Sequence, residues 1–309
     1  MRFDVTILGC GSATPTLHRG ATSQYINILE RNFLVDCGEG TQIQLRKFQI
    51  KFHRIDRIFI SHLHGDHFFG LVGLLSSLHL LGRTNDIHIH APEPLKEVLV
   101  ANLRASQTQL NFNFIFHSLS FKSKELIFED NLISVYSFPL RHRIDCCGFL
   151  FEEKTRERGM IKEAISEYSI PRANISGIKS GDDFVTADGT RIPNKQITRD
   201  PIPTRSYAYC SDTAYSENVI ESIKGADLLY HEATFIELHK ERAKQTFHST
   251  AAEAATVAKK AGVKELIVGH YSARYKHLED YQNEIEPIFK NYRLAEDGMV
   301  ISIPHEIQE

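Results

Sequence analysis

Ser61-His62-Leu63-His64-Gly65-Asp66-His67 follows the apolar run Arg57 to Ile60 and precedes a helical stretch that begins at Phe68. Four potential metal ligands occupy positions 62 to 67. In extended backbone, side chains alternate in direction, so His62 and His64 point to one side. Gly65 lets the chain turn, which sends Asp66 and His67 elsewhere, and one short loop can then feed two adjacent cations. Neutral imidazole and carboxylate suit Zn²⁺ and tolerate Mn²⁺ or other borderline divalent ions. A binuclear site needs more donors, and the sequence offers them at the ends of other strand-like runs. His142 follows Leu132 to Phe138, Asp212 ends Tyr207 to Ser211, and His270 ends Leu266 to Gly269. A carboxylate such as Asp212 can bridge two cations. Singly, Asp212 reads equally well as a helix N-cap and either histidine as a loop residue.

Around these positions the chain alternates strand and helix patterns. Strand-like runs are Phe3 to Leu8, Tyr25 to Leu29, Asn32 to Cys37, Ile55 to Ser61, Asp86 to His90, Leu132 to Phe138, Cys147 to Glu152, Tyr207 to Ser211, Asp227 to His231, Glu265 to Gly269 and Met299 to Pro304. Helical periodicity marks Glu39 to Phe48, Phe68 to Leu81, Pro94 to Ser106, and stretches near 216–223, 249–261 and 279–290. The pattern predicts a layered α/β protein. Residues 153 to 202 break the rhythm with balanced charge, Gly177, Gly181 and Gly189, and few contiguous apolar positions. They read as an insertion, either a surface loop or a mixed-charge gripping arm.

Hydrophobic residues at 42% and charged residues at 24% of 309 exclude a disordered or fibrous chain. With 36 Lys+Arg against 39 Asp+Glu and a formal charge of −3, no global basic field exists, so a polyanion must be gripped locally. The start Met1-Arg2-Phe3-Asp4 lacks a signal-peptide core, and no stretch reaches ~20 apolar residues. The five cysteines are odd in number and lack CxxC spacing, which predicts a reducing, cytoplasmic setting without membrane contact. Gly9-Cys10-Gly11-Ser12 reads as a tight turn and His88 and His90 as strand histidines. His79 reads as core, and so do the rings of Phe48, Phe52, Phe68 and Phe69, with stacking on single-stranded RNA as their alternative role.

The His62-His64-Asp66-His67 motif resembles the signature of the metallo-β-lactamase superfamily. Several segments narrow the resemblance to the ribonuclease Z family of tRNA 3′-processing endoribonucleases: Asp36-Cys37-Gly38-Glu39-Gly40-Thr41-Gln42, His231-Glu232-Ala233-Thr234, His248-Ser249-Thr250, and Gly269-His270-Tyr271-Ser272-Ala273-Arg274-Tyr275. The resemblance implies one domain over 1–309, a four-layer αββα sandwich, with 153–202 as an inserted flexible arm that binds the tRNA elbow away from the active site. It implies two Zn²⁺ per subunit, one held by His62, His64, His142 and Asp212, the other by Asp66, His67, Asp212 and His270. Asp66 would also act as general base. His248 would protonate the departing 3′ oxygen, and Glu232 would fix its tautomer. Substrate contacts would come from Arg274, Lys179 and Gly181, the last two within Gly177-Ile178-Lys179-Ser180-Gly181, a source of backbone amides and a cation for phosphates.

The implied reaction removes the 3′ trailer from precursor tRNA after the discriminator base, leaving a 3′-hydroxyl, in a homodimer. Two departures stand out. Gly20 replaces the asparagine that ends the family's basic loop, here Thr14 to Gly20, and Ile170-Pro171-Arg172 replaces a Gly-Pro in the arm. The competing expectations are a small phosphodiester or sulfate ester hydrolase of the same fold, and a catalytically silent RNA binder.

Overall fold

The computed structural model describes residues 1–305. Its main unit comprises Met1–Glu129, Ser134–Glu152 and Arg205–Pro304. Two seven-stranded sheets form it. In chain order the first holds β1 (Phe3–Gly9), β2 (Ser23–Ile28), β3 (Arg31–Val35), β4 (Arg57–Phe59), β5 (Ile87–Ala91) and β6 (Phe114–Ser118). The second holds β7 (Glu125–Glu129), β8 (Ile133–Pro139), β9 (Cys147–Glu153), β10 (Ser206–Cys210), β11 (Leu228–Glu232), β12 (Glu265–Gly269) and β13 (Tyr292–Leu294). β14 (Val300–Ser302) returns to the first sheet. The spatial orders are β14-β1-β2-β3-β4-β5-β6 and β13-β12-β11-β10-β9-β8-β7.

Strand sequence explains the layering. In β4, Ile58 packs into the cluster formed with Leu71, Leu74, Leu95 and Leu99 of the helices Leu71–Leu80 and Pro94–Ala105, so one face of the first sheet is covered by helices. Its neighbour Phe59 points the other way and meets Phe149 and Phe151 of β9 with ring centroids 5.4 and 5.6 Å apart. These aromatic contacts form the core between the sheets. Helix Ala251–Ala261, started by a Thr250/Glu253 capping box, contacts β11 and β12. The four layers are therefore helix, sheet, sheet, helix, as expected.

β4, β5 and β6 run parallel to one another, as do β10, β11 and β12. In such runs the carboxyl ends of all the strands lie on one rim, where open α/β sheets bind their ligands. Ser61, Asp212, Ala233 and His270 follow β4, β10, β11 and β12 on these rims. Three strands of the two seven-stranded sheets escape the sequence reading: β6, β7 and β13. β6 and β7 are outermost in their sheets and half exposed, so no buried alternation marks them. The expected helix 279–290 is shorter, Glu279–Ile285.

A second compact unit comprises Asp130–Ile133, Glu153–Thr204 and His305. Two short strand pairs, Gly159–Met160 with Thr198–Arg199 and Phe184–Val185 with Arg191–Ile192, accompany three helices of four to six residues. Ala164, Ile170, Ile178, Phe184, Ile192 and Ile197 give it a small apolar core. Its apolar residues are dispersed in sequence, which hid this core from a search for contiguous runs.

Glu152 of β9 pairs with Ser206 of β10 in antiparallel register. The insertion thus interrupts a strand hairpin, whose ends a two-residue turn can join. Replacing residues 154–204 by Asn-Gly is expected to leave the main unit folded, with one cooperative thermal transition by circular dichroism. Loss of that transition would mean the second unit is required for the first to fold.

Candidate metal centre

The loop after β3 organises the site. Asp36 is fully buried at φ 54°, and its carboxylate accepts four hydrogen bonds. Ser61 donates its amide to Oδ1 at 2.8 Å and its hydroxyl to Oδ2 at 2.9 Å; Tyr209 of β10 donates to Oδ2 at 2.7 Å, and His67 places Nδ1 2.8 Å from Oδ2. Cys37 accepts the Gly70 amide and donates to the His67 carbonyl at 2.7 Å. Gly38 lies so close to the Asp66 carbonyl that a Cβ there would collide with it. The Asp36-Cys37-Gly38 segment therefore docks the turn that carries Asp66 and His67.

The seven expected ligands converge. His62 Nε2, His64 Nδ1 and His142 Nε2 lie together, with His64 Nδ1 3.0 Å from His62 and 3.1 Å from His142. Asp212 Oδ2 is 3.4 Å from His62 Nε2 and 3.8 Å from His142 Nε2. Its other oxygen, Oδ1, is 3.4 Å from His67 Nε2 and 3.1 Å from His270 Nε2. Asp66 Oδ2 lies 3.5 Å from each of those two imidazoles. The donors form two pockets, His62/His64/His142/Asp212 and Asp66/His67/His270, and Asp212 addresses both.

Four of the five imidazoles engage their far nitrogen. His62 Nδ1 meets Ser61 Oγ, His67 Nδ1 meets Asp36, His142 Nδ1 donates to the Phe247 carbonyl and His270 Nδ1 meets Thr234 Oγ1, at 2.8 to 3.0 Å. Such contacts set ring orientation and direct Nε2 inward. His67 Nε2, His270 Nε2 and Asp212 Oδ1 are buried with no hydrogen-bond partner. Buried polar atoms are normally partnered, and three that are not, converging on one point, leave donor positions that an ion can fill. Burial holds His64 and His142 down at about 4, keeping the rings neutral with lone pairs free for a cation. Burial opposes charge on His67 too, but Asp212, Asp66 and Asp36 raise it, a field that favours positive charge. Donor chemistry and orphaned atoms fit divalent cations.

Beside Asp212 stands His248, with Nε2 3.9 Å from Oδ2. Its Nδ1 is 2.9 Å from Glu232 Oε1 and 3.1 Å from Thr234 Oγ1. Glu232, at the end of β11, also accepts the amides of Thr213, Thr234 and Ser249. Burial would depress His248, but Glu232 and Asp212 outweigh it and hold the imidazole up at about 9. Burial would raise Asp66, yet His67 and His270 hold it below the usual carboxylate range. Asp66 Oδ2 also accepts the Ala13 amide at 2.7 Å.

A chain 50% identical to this one over 98% of its length, and over 96% of the relative's, is the ribonuclease Z of Bacteroides thetaiotaomicron. This chain belongs to the ribonuclease Z family. Human tRNase Z, short form, has a similar structure with a TM-score of 0.71 at 31% identity, covering 97% of this chain and 99% of the human one. The metallo-β-lactamase fold protein YhfI of Bacillus subtilis superposes with a TM-score of 0.68 at 17% identity, covering 98% of this chain and all of that one, a likeness of fold alone. A family model described as anti-Pycsar protein Apyc1 matches residues 3–156. Family and donor clusters together make this a divalent-metal site.

The remaining expected contacts fare differently. Arg274 is exposed; its Nε donates to Ser272 Oγ, and its guanidinium lies 5.1 Å from the Phe235 ring, itself 6.1 Å from His248. Lys179 sits in helix Ile175–Ser180 with Nζ 3.3 Å from Glu157, an exposed pair of little strength. The reading of Gly177 to Gly181 as free amides is corrected. Gly181 caps the helix's C-terminus at φ 118°, its amide donates to Ile178 and that of Asp182 to Gly177, so this end presents carbonyls. Gly20 has a packing reason. Its amide donates to Asp297 at 2.7 Å, and a Cβ there would lie 2.8 Å from the Gln44 amide.

Asp36 and Thr234 went unassigned in the sequence, although both lie inside quoted motifs; their roles depend on partners far away in the chain. Asp36→Asn is expected to weaken divalent-metal affinity about 10- to 100-fold, because His67 loses the carboxylate that orients it. Metal retained per chain during chelator titration measures this. Unchanged affinity would remove Asp36 from the metal centre.

Proposed function

We propose that the protein is a zinc-dependent endoribonuclease that removes the 3′ trailer from precursor tRNA, cutting after the discriminator base to leave a 3′-hydroxyl. The observation that carries this reading is the Asp212 carboxylate shared between two donor pockets, with the Glu232-held His248 at its edge, in a chain of the ribonuclease Z family.

In this reading His62, His64, His142 and Asp212 hold one Zn²⁺, and Asp66, His67, Asp212 and His270 the other; Mn²⁺ or another divalent ion can replace zinc. Two such ions supply a nucleophile at neutral pH and offset charge on the phosphoryl oxygens. The protein's own groups move the protons. Asp66, oriented by the Ala13 amide, accepts the proton of the attacking water. Water oxygen joins phosphorus as the bond from phosphorus to the 3′ oxygen breaks. His248 donates Nε2–H to that oxygen, because a leaving alkoxide is too basic to depart unaided. Glu232 holds His248 by Nδ1, so the mobile proton resides on Nε2. Arg274 takes a phosphate with its planar fork.

The insertion 153–202 grips the tRNA, with Lys179 exchanging its weak partner Glu157 for phosphate, and the working form is a homodimer. The five cysteines, all buried and unpaired, fit a reducing cytoplasm. No described helix is long and apolar enough to cross a membrane.

Incubation of metal-loaded protein with a 3′-extended precursor tRNA, with Asp66→Ala alongside, is expected to give one cut after the discriminator in the wild type alone. Two bound metals without a cut would overturn the reading. His248→Ala is expected to retain metals and tRNA binding while cleavage falls about 10²- to 10⁴-fold. Metal loss in that variant would make His248 a ligand. The variant lacking 154–204 is expected to lose tRNA affinity and keep hydrolysis of bis(p-nitrophenyl) phosphate; equal loss of both would exclude a separate grip. Light scattering should return the mass of a dimer, and a monomer would refute the assembly.

A further inference from the structure

Phe69, read from sequence as core, is 66% exposed. It follows the short helix Gly65–Phe68 that carries Asp66 and His67, lies over Gly65 and meets Phe68 edge-on at 4.8 Å. The ring is thereby held against the ligand-bearing turn while most of its surface stays in water. It lines a cleft of about 420 Å³ whose wall also includes His64, Asp66, Asp212 and His248. Arg143, one residue beyond His142 in the loop between β8 and β9, lines the same cleft. Its guanidinium has no ion-pair partner among the described residues. The reaction proposed above uses neither side chain.

Exposing a phenylalanine to water is unfavourable, by about 25 cal/mol for each Å² of apolar surface. An aromatic face and an unpaired guanidinium beside a phosphate-cutting centre match the chemistry of a single RNA strand, whose splayed bases stack on aromatic rings and whose phosphates pair with arginine. We infer that Phe69 is a stacking platform for a nucleobase adjacent to the scissile phosphate, and that Arg143 binds a neighbouring phosphate of the same strand. The inference rests on the endoribonuclease reading. It makes Phe69 and Arg143 positioning residues: they hold the strand so that the correct phosphate meets the metals, and they take no part in proton transfer. Because stacking accepts any base, the platform places the strand without restricting trailer sequence.

The test measures cleavage of precursor tRNA by metal-loaded wild type, Phe69→Ala and Phe69→Tyr, on the natural substrate and on one made abasic at the nucleotides flanking the cut. Phe69→Ala should reduce kcat/KM about 10- to 100-fold on the natural substrate, with Phe69→Tyr near wild type. On the abasic substrate wild type should fall to the level of Phe69→Ala, and metal content should be the same in all three. Arg143→Ala should lower the log–log salt slope of RNA binding by about 0.7, the share of one single-strand phosphate.

Phe69→Ala cutting as well as wild type would overturn the platform, as would equal loss on natural and abasic substrates. A change of oligomeric state without loss of cleavage would overturn it in favour of a protein interface. An unaltered salt slope would remove Arg143. If wild type itself fails to cut precursor tRNA, the endoribonuclease reading falls first and the inference with it, a result distinct from any variant effect.

Discussion

Asp36 sits without solvent at the junction of the two sheets, where Ser61, His67 and Tyr209 all donate to its carboxylate. A buried carboxylate is unfavourable unless its lone pairs are filled, and here two oxygens accept four hydrogen bonds. Removing any donor leaves part of the charge uncompensated, so the ends of β3, β4 and β10 are held in one arrangement. The loop from 61 to 67 takes its position from that arrangement. Both donor pockets follow, since His62 and His64 leave the loop on one side and Asp66 and His67 on the other.

Asp212 extends the same logic to the second sheet. Its oxygens face different imidazole groups, which brings β10 and β12 into a common centre with the loop after β4. Non-glycine residues with positive φ recur here: Ala13, Asp36, Phe247 and His270. Each such conformation costs of order 1–3 kcal/mol and persists only where surrounding contacts hold it. At each of these positions the contacts are visible. The Ala13 amide meets Asp66, the Phe247 carbonyl meets His142, and His270 and Asp36 are locked by hydrogen bonds of their own. At these four positions the strained backbone aims side chains and dipoles into the site, and the sandwich behind supplies the rigidity.

Much of the architecture was legible because its causes are local. Strand and helix periodicity, the turn at Gly65 and the ends of apolar runs are properties of consecutive residues, and they located most strands of both sheets and the donor side chains that the fold brings together in the two pockets. β6 and β7 escaped because outermost, half-exposed strands need not alternate. The apolar core of the 153–204 unit escaped because its members are scattered between polar residues. Gly181 was misread for a related reason: a glycine beside lysine and serine suits an amide nest or a helix C-cap equally, and only the hydrogen bonds distinguish them.

Residue type and spacing by themselves determined that this chain carries metal-ligand chemistry on a layered α/β scaffold, since the donors near His62 are adjacent in sequence and the strands announce themselves by pattern. Tertiary structure alone decided how Asp212 divides its oxygens and that Asp36 underpins His67. It also decided that Phe69 faces the cleft, because each of these depends on groups brought together from distant parts of the chain. A side chain's type is written in the sequence, but its partner and its exposure are set by packing.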